Sequence, residues 1–143
     1  MATTDNLKVA LNVNKAALDR DWTRFKDGHA DSVLVYSPLT PEPTKGVEAH
    51  TDAVKALLSA FPDFDMRMDR CFGQDDWVCT EFTMTGTHKA PLKGPNGQVI
   101  PPTNRKLRLA LCSVVRFENG KMAEEHTYYD RVSMMSQLGI APK

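Results

Sequence analysis

His126, Tyr128 and Asp130 stand at alternate positions near the end of the chain, in a segment whose composition reads as a strand. Alternation puts all three on one face, spaced about 7 Å per two residues. Upstream, Asn119-Gly120 lies between two extended segments. That pair signals a hairpin, because a type I′ turn needs positive φ at both central residues. With regular pairing outward from this turn, Glu118 faces Lys121, Val115 faces Glu124, Ser113 faces His126, Leu111 faces Tyr128 and Leu109 faces Asp130. Leu107, Leu109, Leu111 and Val115 mark this as the core side, so the register predicts three titratable groups among leucines. The opposite face carries Cys112, Val114 and Arg116 beside Ala123, Glu125, Thr127 and Tyr129, and reads as solvent-facing or interfacial.

A carboxylate shielded from water beside Leu109 has its pKa raised, which makes Asp130 the candidate general acid/base near neutral pH. Asp is also a preferred helix N-cap, and capping is compatible with catalysis. His126 titrates near neutrality and suits a proton carrier, or it is a hydrogen-bonded histidine in the core wall. Tyr128 is the expected ligand-binding ring, its hydroxyl available to a carbonyl or enolate oxygen. Leu109, Leu111 and Ser113 line the same pocket. Glu81 is a second pocket carboxylate if its face of the segment Trp77 to His88 turns inward; a solvated glutamate is the commoner outcome.

These residues need a scaffold. Asn6 to Leu18 has an amphipathic helical pattern, and Asp21 to Gly28 a shorter one with Trp22 and Phe25 on one face. Ser32 to Tyr36 reads as a strand, Pro38, Pro41 and Pro43 as a loop, and Val47 to Ala60 as a third helix ended by Phe61-Pro62. Phe64 to Phe72, Trp77 to His88, Lys106 to Phe117 and Met122 to Tyr129 read as strands, with an irregular loop from Lys89 to Asn104 and a last helix from Arg131 to Leu138 stopped by Gly139. Helices early and strands late predict an α+β fold with three N-terminal helices on one face of a curved, mostly antiparallel sheet.

The 143 residues fit one domain, 1–143. Eighteen basic side chains balance eighteen acidic ones without a like-charged block, which gives no footprint for nucleic acid or anionic lipid. No apolar run is long enough to cross a membrane and the N-terminus lacks signal-peptide character, so a cytoplasmic protein is expected. Cys71, Cys79 and Cys112 are odd in number and lack Cys-x-x-Cys spacing. His29, His50, His88 and His126 include no close pair at metal-ligand spacing, so no metal is expected. Gly94-Pro95-Asn96-Gly97 lacks the ending of a P-loop, and no Gly-x-Ser-x-Gly elbow is present.

Five segments carry a resemblance: Ala60-Phe61-Pro62-Asp63-Phe64, Thr85-Gly86-Thr87-His88, Ile100-Pro101-Pro102-Thr103-Asn104-Arg105, Asn119-Gly120-Lys121-Met122, and Asp130 through Gly139. In order and spacing they resemble the SnoaL-like polyketide cyclases and related ester cyclases, which share the NTF2-like cone with ketosteroid isomerase and limonene epoxide hydrolase. The resemblance implies an acid/base aldol-type cyclisation or isomerisation with Asp130 in the catalytic position, no cofactor, an apolar or polycyclic small-molecule ligand, and a homo-oligomer joined through the other sheet face, with Cys112, Val114 and Tyr129 at the contact. The chain has Glu81 and Thr83 where limonene epoxide hydrolase-like proteins carry an Arg and an Asp, which disfavours epoxide hydrolysis. His126 stands where the family often has Trp.

Overall fold

The computed structural model describes residues 3–93 and 97–140. Helices α1 (Thr3–Leu18) and α2 (Trp22–Asp27) lead into β1 (His29–Tyr36) and the short β2 (Thr44–Lys45), and helix α3 (Val47–Ala60) follows. The rest is β3 (Asp65–Gln74), β4 (Trp77–Thr87), a small hairpin of β5 (Leu92–Lys93) and β6 (Val99–Ile100), then β7 (Lys106–Glu118), β8 (Lys121–Tyr129) and α4 (Arg131–Gln137). Six strands form one sheet in the order β2-β1-β8-β7-β4-β3, in which only β1 and β8 run parallel. This is the expected α+β cone, with a fourth helix behind the three N-terminal ones.

Local chemistry explains the boundaries. Asp21 caps α2 by accepting from the Arg24 backbone N–H, and Phe61-Pro62 ends α3 where the sequence places it. The helices bury their apolar stripes against the inner sheet face in two neighbouring clusters. Ala10, Val13 and Phe25 pack with Val78, Val115, Phe117 and Met122 at one end. Leu58, Phe61 and Phe64 pack with Met84, Leu107, Leu109 and Leu138 at the other. Each large apolar side chain fully buried in this way contributes about 1.5–3 kcal/mol. The Phe61 ring lies so close to the β4 backbone that a Cβ at Gly86 would stand 3.1 Å from it.

The β7–β8 hairpin sets the site. Asn119 and Gly120 both have positive φ, 50° and 77°, and Glu118 pairs with Lys121 as the turn requires. Phe117 then pairs with Met122, but Arg116 pairs with Glu124, so Ala123 is an extra residue that bulges the strand. Beyond it, Val115 pairs with Glu125, Val114 with His126, Ser113 with Thr127, Cys112 with Tyr128 and Leu111 with Tyr129. The regular register expected from the sequence is therefore corrected by one residue, and a one-residue shift exchanges the faces of a strand. Glu125, Thr127 and Tyr129 join Leu109, Leu111 and Ser113 on the inner face, while His126 and Tyr128 turn to the outer face.

Candidate active site

Between the helices and the inner sheet face lies a cavity of about 320 Å³. Leu109, Leu111 and Ser113 line it, as their alternation predicts. Its wall is mainly apolar, and one group of polar side chains gathers where β1, β8 and α3 meet. Glu125 is the single carboxylate among its described lining residues. Two histidines join it, His29 from the start of β1 and His50 from the inward face of α3. The inward stripe of α3 runs through Val47, His50, Thr51 and Leu58, which is how a polar residue comes to stand within it.

His50 Nε2 lies 3.5 Å from Glu125 Oε2. The His29 and His50 rings meet edge to face with centroids 5.0 Å apart, and Phe25 packs on both. His29 Nδ1 donates to the Phe25 carbonyl at 2.7 Å, which fixes the tautomer and leaves Nε2 as an acceptor. That Nε2 is buried and has no partner among the described residues. Beside Glu125, three hydroxyls cross the inner face in register: Thr80 pairs with Ser113, and Ser113 Oγ lies 3.0 Å from Thr127 Oγ1.

Burial sets the charge states. Loss of water raises the Glu125 carboxyl above the ordinary glutamate range, partly offset by the nearby His29 and His126. Burial lowers both histidines to about 4, with His29 further depressed by His50 and lifted in part by the Phe25 carbonyl and Glu125. The His50–Glu125 contact at neutral pH is thus a neutral imidazole beside a carboxyl group, not an ion pair. The chamber thus brings together a carboxyl group with a raised pKa, two neutral imidazoles and a row of hydroxyls, groups able to exchange protons away from bulk water.

The profile of the SnoaL-like polyketide cyclase family matches residues 8–138. The chain belongs to that family. No curated protein matches it. Among solved structures, the SnoaL-like fold recurs in a protein of Jannaschia sp. CCS1 at 15% identity and TM-score 0.86, covering 98% of this chain and 95% of that one. AclR of Streptomyces galilaeus is similar at 20% identity and TM-score 0.81, covering 99% and 100%. An LEH-like epoxide hydrolase of M. tuberculosis matches at 15% identity and TM-score 0.72, covering 95% and 90%.

Within this SnoaL-like chain the residues singled out from sequence separate. His126 is held outside the cone: its Nε2 lies 2.6 Å from Glu124 Oε1, and its ring stacks on Tyr36 with centroids 4.5 Å apart. Arg116 Nε donates to the other Glu124 oxygen at 3.2 Å. Tyr128 is 59% exposed and does not line the cavity. Glu81 is also on the outer face, accepting from Arg70 Nε and Nη2 at 3.2 and 3.0 Å. Asp130 caps α4, accepting from the Ser133 N–H at 3.0 Å, and its side chain is exposed. Its two neighbours, Tyr129 and Arg131, line the cavity. Sequence reading missed Glu125, His29 and His50. The histidines are far apart in the chain, and a regular register, which pairs Ala123 with Arg116 instead of bulging it, turns Glu125 outward.

Proposed function

We propose that this chain is a cofactor-independent acid/base enzyme acting on an apolar carbonyl compound, an aldol-type cyclase or isomerase, with Glu125 as its general acid/base. One observation carries the reading: Glu125 is the carboxylate that lines the cavity, and burial raises its pKa. The carboxylate takes a proton from the carbon alpha to a carbonyl. The enolate then either attacks a second carbonyl of the same molecule, forming a carbon–carbon bond, or is reprotonated elsewhere. In either case the Glu125 carboxyl group returns the proton, and atoms balance without a co-reactant. Ser113, Thr127 and Thr80 supply hydroxyl donors for the developing oxyanion. The cavity wall folds the substrate so that its reacting carbons meet.

Asp130 has a different part in this reading. Its N-cap bond anchors α4, whose Met134 closes the cavity together with Leu138 just past the helix end, so it positions a wall. The same reading takes the protein as a cytoplasmic homo-oligomer joined through the outer sheet face. Tyr128 joins Cys112 and Val114 there in place of the inward-facing Tyr129, and Phe72, Trp77 and Tyr128 remain exposed.

The test is deuterium uptake alpha to the carbonyl of 2-tetralone in D2O, followed by proton NMR. The wild-type protein should accelerate uptake over buffer, and Glu125→Gln should slow it by about 100-fold or more. Asp130→Asn, which keeps a good N-cap, should stay within a fewfold of wild type. Retained activity in Glu125→Gln with loss in Asp130→Asn would return the role to Asp130. Failure of both wild type and variants to exceed buffer would remove the catalytic reading and leave a binding cavity.

A further inference from the structure

The cavity is charged at both ends, with opposite character. Its cations are Lys93 and Arg131, and Glu125 is its one acid, among the described lining residues. Lys93 follows Leu92, which packs in the same cluster as Tyr129, Met134 and Leu138, so the β5–β6 hairpin and the start of α4 share one end. Glu125 pairs with Val115, which belongs to the other cluster with Phe25, and Phe25 packs on His29 and His50. The four residue steps from Glu125 to Tyr129 span roughly 13 Å, and Arg131 lies two residues further on. A largely apolar stretch of cavity wall, crossed by Thr80, Ser113 and Thr127, therefore separates the two cations from Glu125.

Neither Lys93 nor Arg131 has an ion-pair partner among the described residues. Asp130 is the adjacent acid, but its carboxylate is engaged with the Ser133 N–H and does not line the cavity. Lys93 is exposed and Arg131 half-buried, as expected for a mouth whose head groups reach water while their stems border apolar surface. A planar guanidinium fork matches a carboxylate with two parallel hydrogen bonds, and a lysine adds a mobile point charge.

We propose that the cavity selects elongated apolar molecules bearing a carboxylate, which Arg131 and Lys93 hold at the mouth while the rest of the molecule extends toward Glu125. The proposal rests on reading the cavity as the substrate site, and it is independent of whether Glu125 moves the proton. The cations thus fix which end of the substrate enters first.

The experiment uses the neutral fluorophore N-phenyl-1-naphthylamine in the full chain, displaced by dodecanoate, methyl dodecanoate or dodecylamine, with the thermal midpoint recorded for each. Dodecanoate should displace the fluorophore at about tenfold lower concentration than its methyl ester, and dodecylamine should be weakest. Arg131→Gln should remove most of this advantage, Lys93→Gln about half of it because the exposed lysine is more screened, and the double variant all of it. Glu125→Gln should keep the acid-over-ester preference. Equal binding of acid and ester by the wild-type protein, a preference that survives the double variant, or no displacement and no thermal shift with dodecanoate would each overturn the proposal. Acid preference alongside unchanged exchange in Glu125→Gln would sink the catalytic reading alone; lost exchange without acid preference would sink this one alone.

Discussion

Glu125 is expensive to bury and useful for the same reason. Its folded pKa lies above the unfolded value, so the protein binds an extra proton between the two. Its contribution to stability is intact below the ordinary glutamate pKa and is lost as pH rises through the raised folded value. Glutamine is neutral throughout, so Glu125→Gln should melt a few degrees higher than wild type at pH 8, with the gap closing toward pH 4. Calorimetric or circular-dichroism melts across that range check the sign, and a variant less stable at pH 8 than at pH 4, relative to wild type, would contradict it. His29 and His50 show the same logic in the other direction, since burial lowers both to about 4 and keeps them uncharged at neutral pH.

At the level of elements, the faces of β8 depend on Ala123 staying out of the ladder. With Ala123 bulged, Glu125, Thr127 and Tyr129 point inward and His126 and Tyr128 outward; pairing Ala123 with Arg116 would exchange them. Deleting Ala123 therefore removes the bulge without moving the register beyond it: Arg116 stays opposite Glu124 and Val115 opposite Glu125. The expected outcome is a folded protein within about 2 kcal/mol of wild type, read by urea denaturation, with Glu125 still facing the cavity. A deletion variant in which Glu125 is exposed to solvent would contradict this register. Much of this hairpin was legible: Asn119-Gly120 fixes the turn, and Leu107, Leu109, Leu111, Ser113 and Val115 declare the inner face of β7. What the pattern hid was the insertion. Met122 and Ala123 are both buried in succession, a break in alternation that two small or flexible apolar residues announce only weakly.

The whole molecule makes the carboxyl group unusual. The α+β order, the ends of α3 at Val47 and Ala60, and four main strands follow from period and breaker residues, because those signals are local. The assembly of Glu125 with His29 and His50 is not local. It requires α3 and β1 to meet a bulged β8 across the cone, and no spacing along the chain encodes that meeting. The largely apolar chamber then shields the Glu125 carboxyl group from water, while Asp130 stays at the surface as a helix cap. The two acids thus differ in how far water reaches them, and carbon-13 NMR titration of the side-chain carboxyl groups tests this without any substrate. One glutamate resonance should titrate clearly above the ordinary range of about 4.3 and disappear in Glu125→Gln, with Asp130→Asn leaving it in place. A Glu125 resonance that titrates with the surface glutamates would contradict the buried acid/base site.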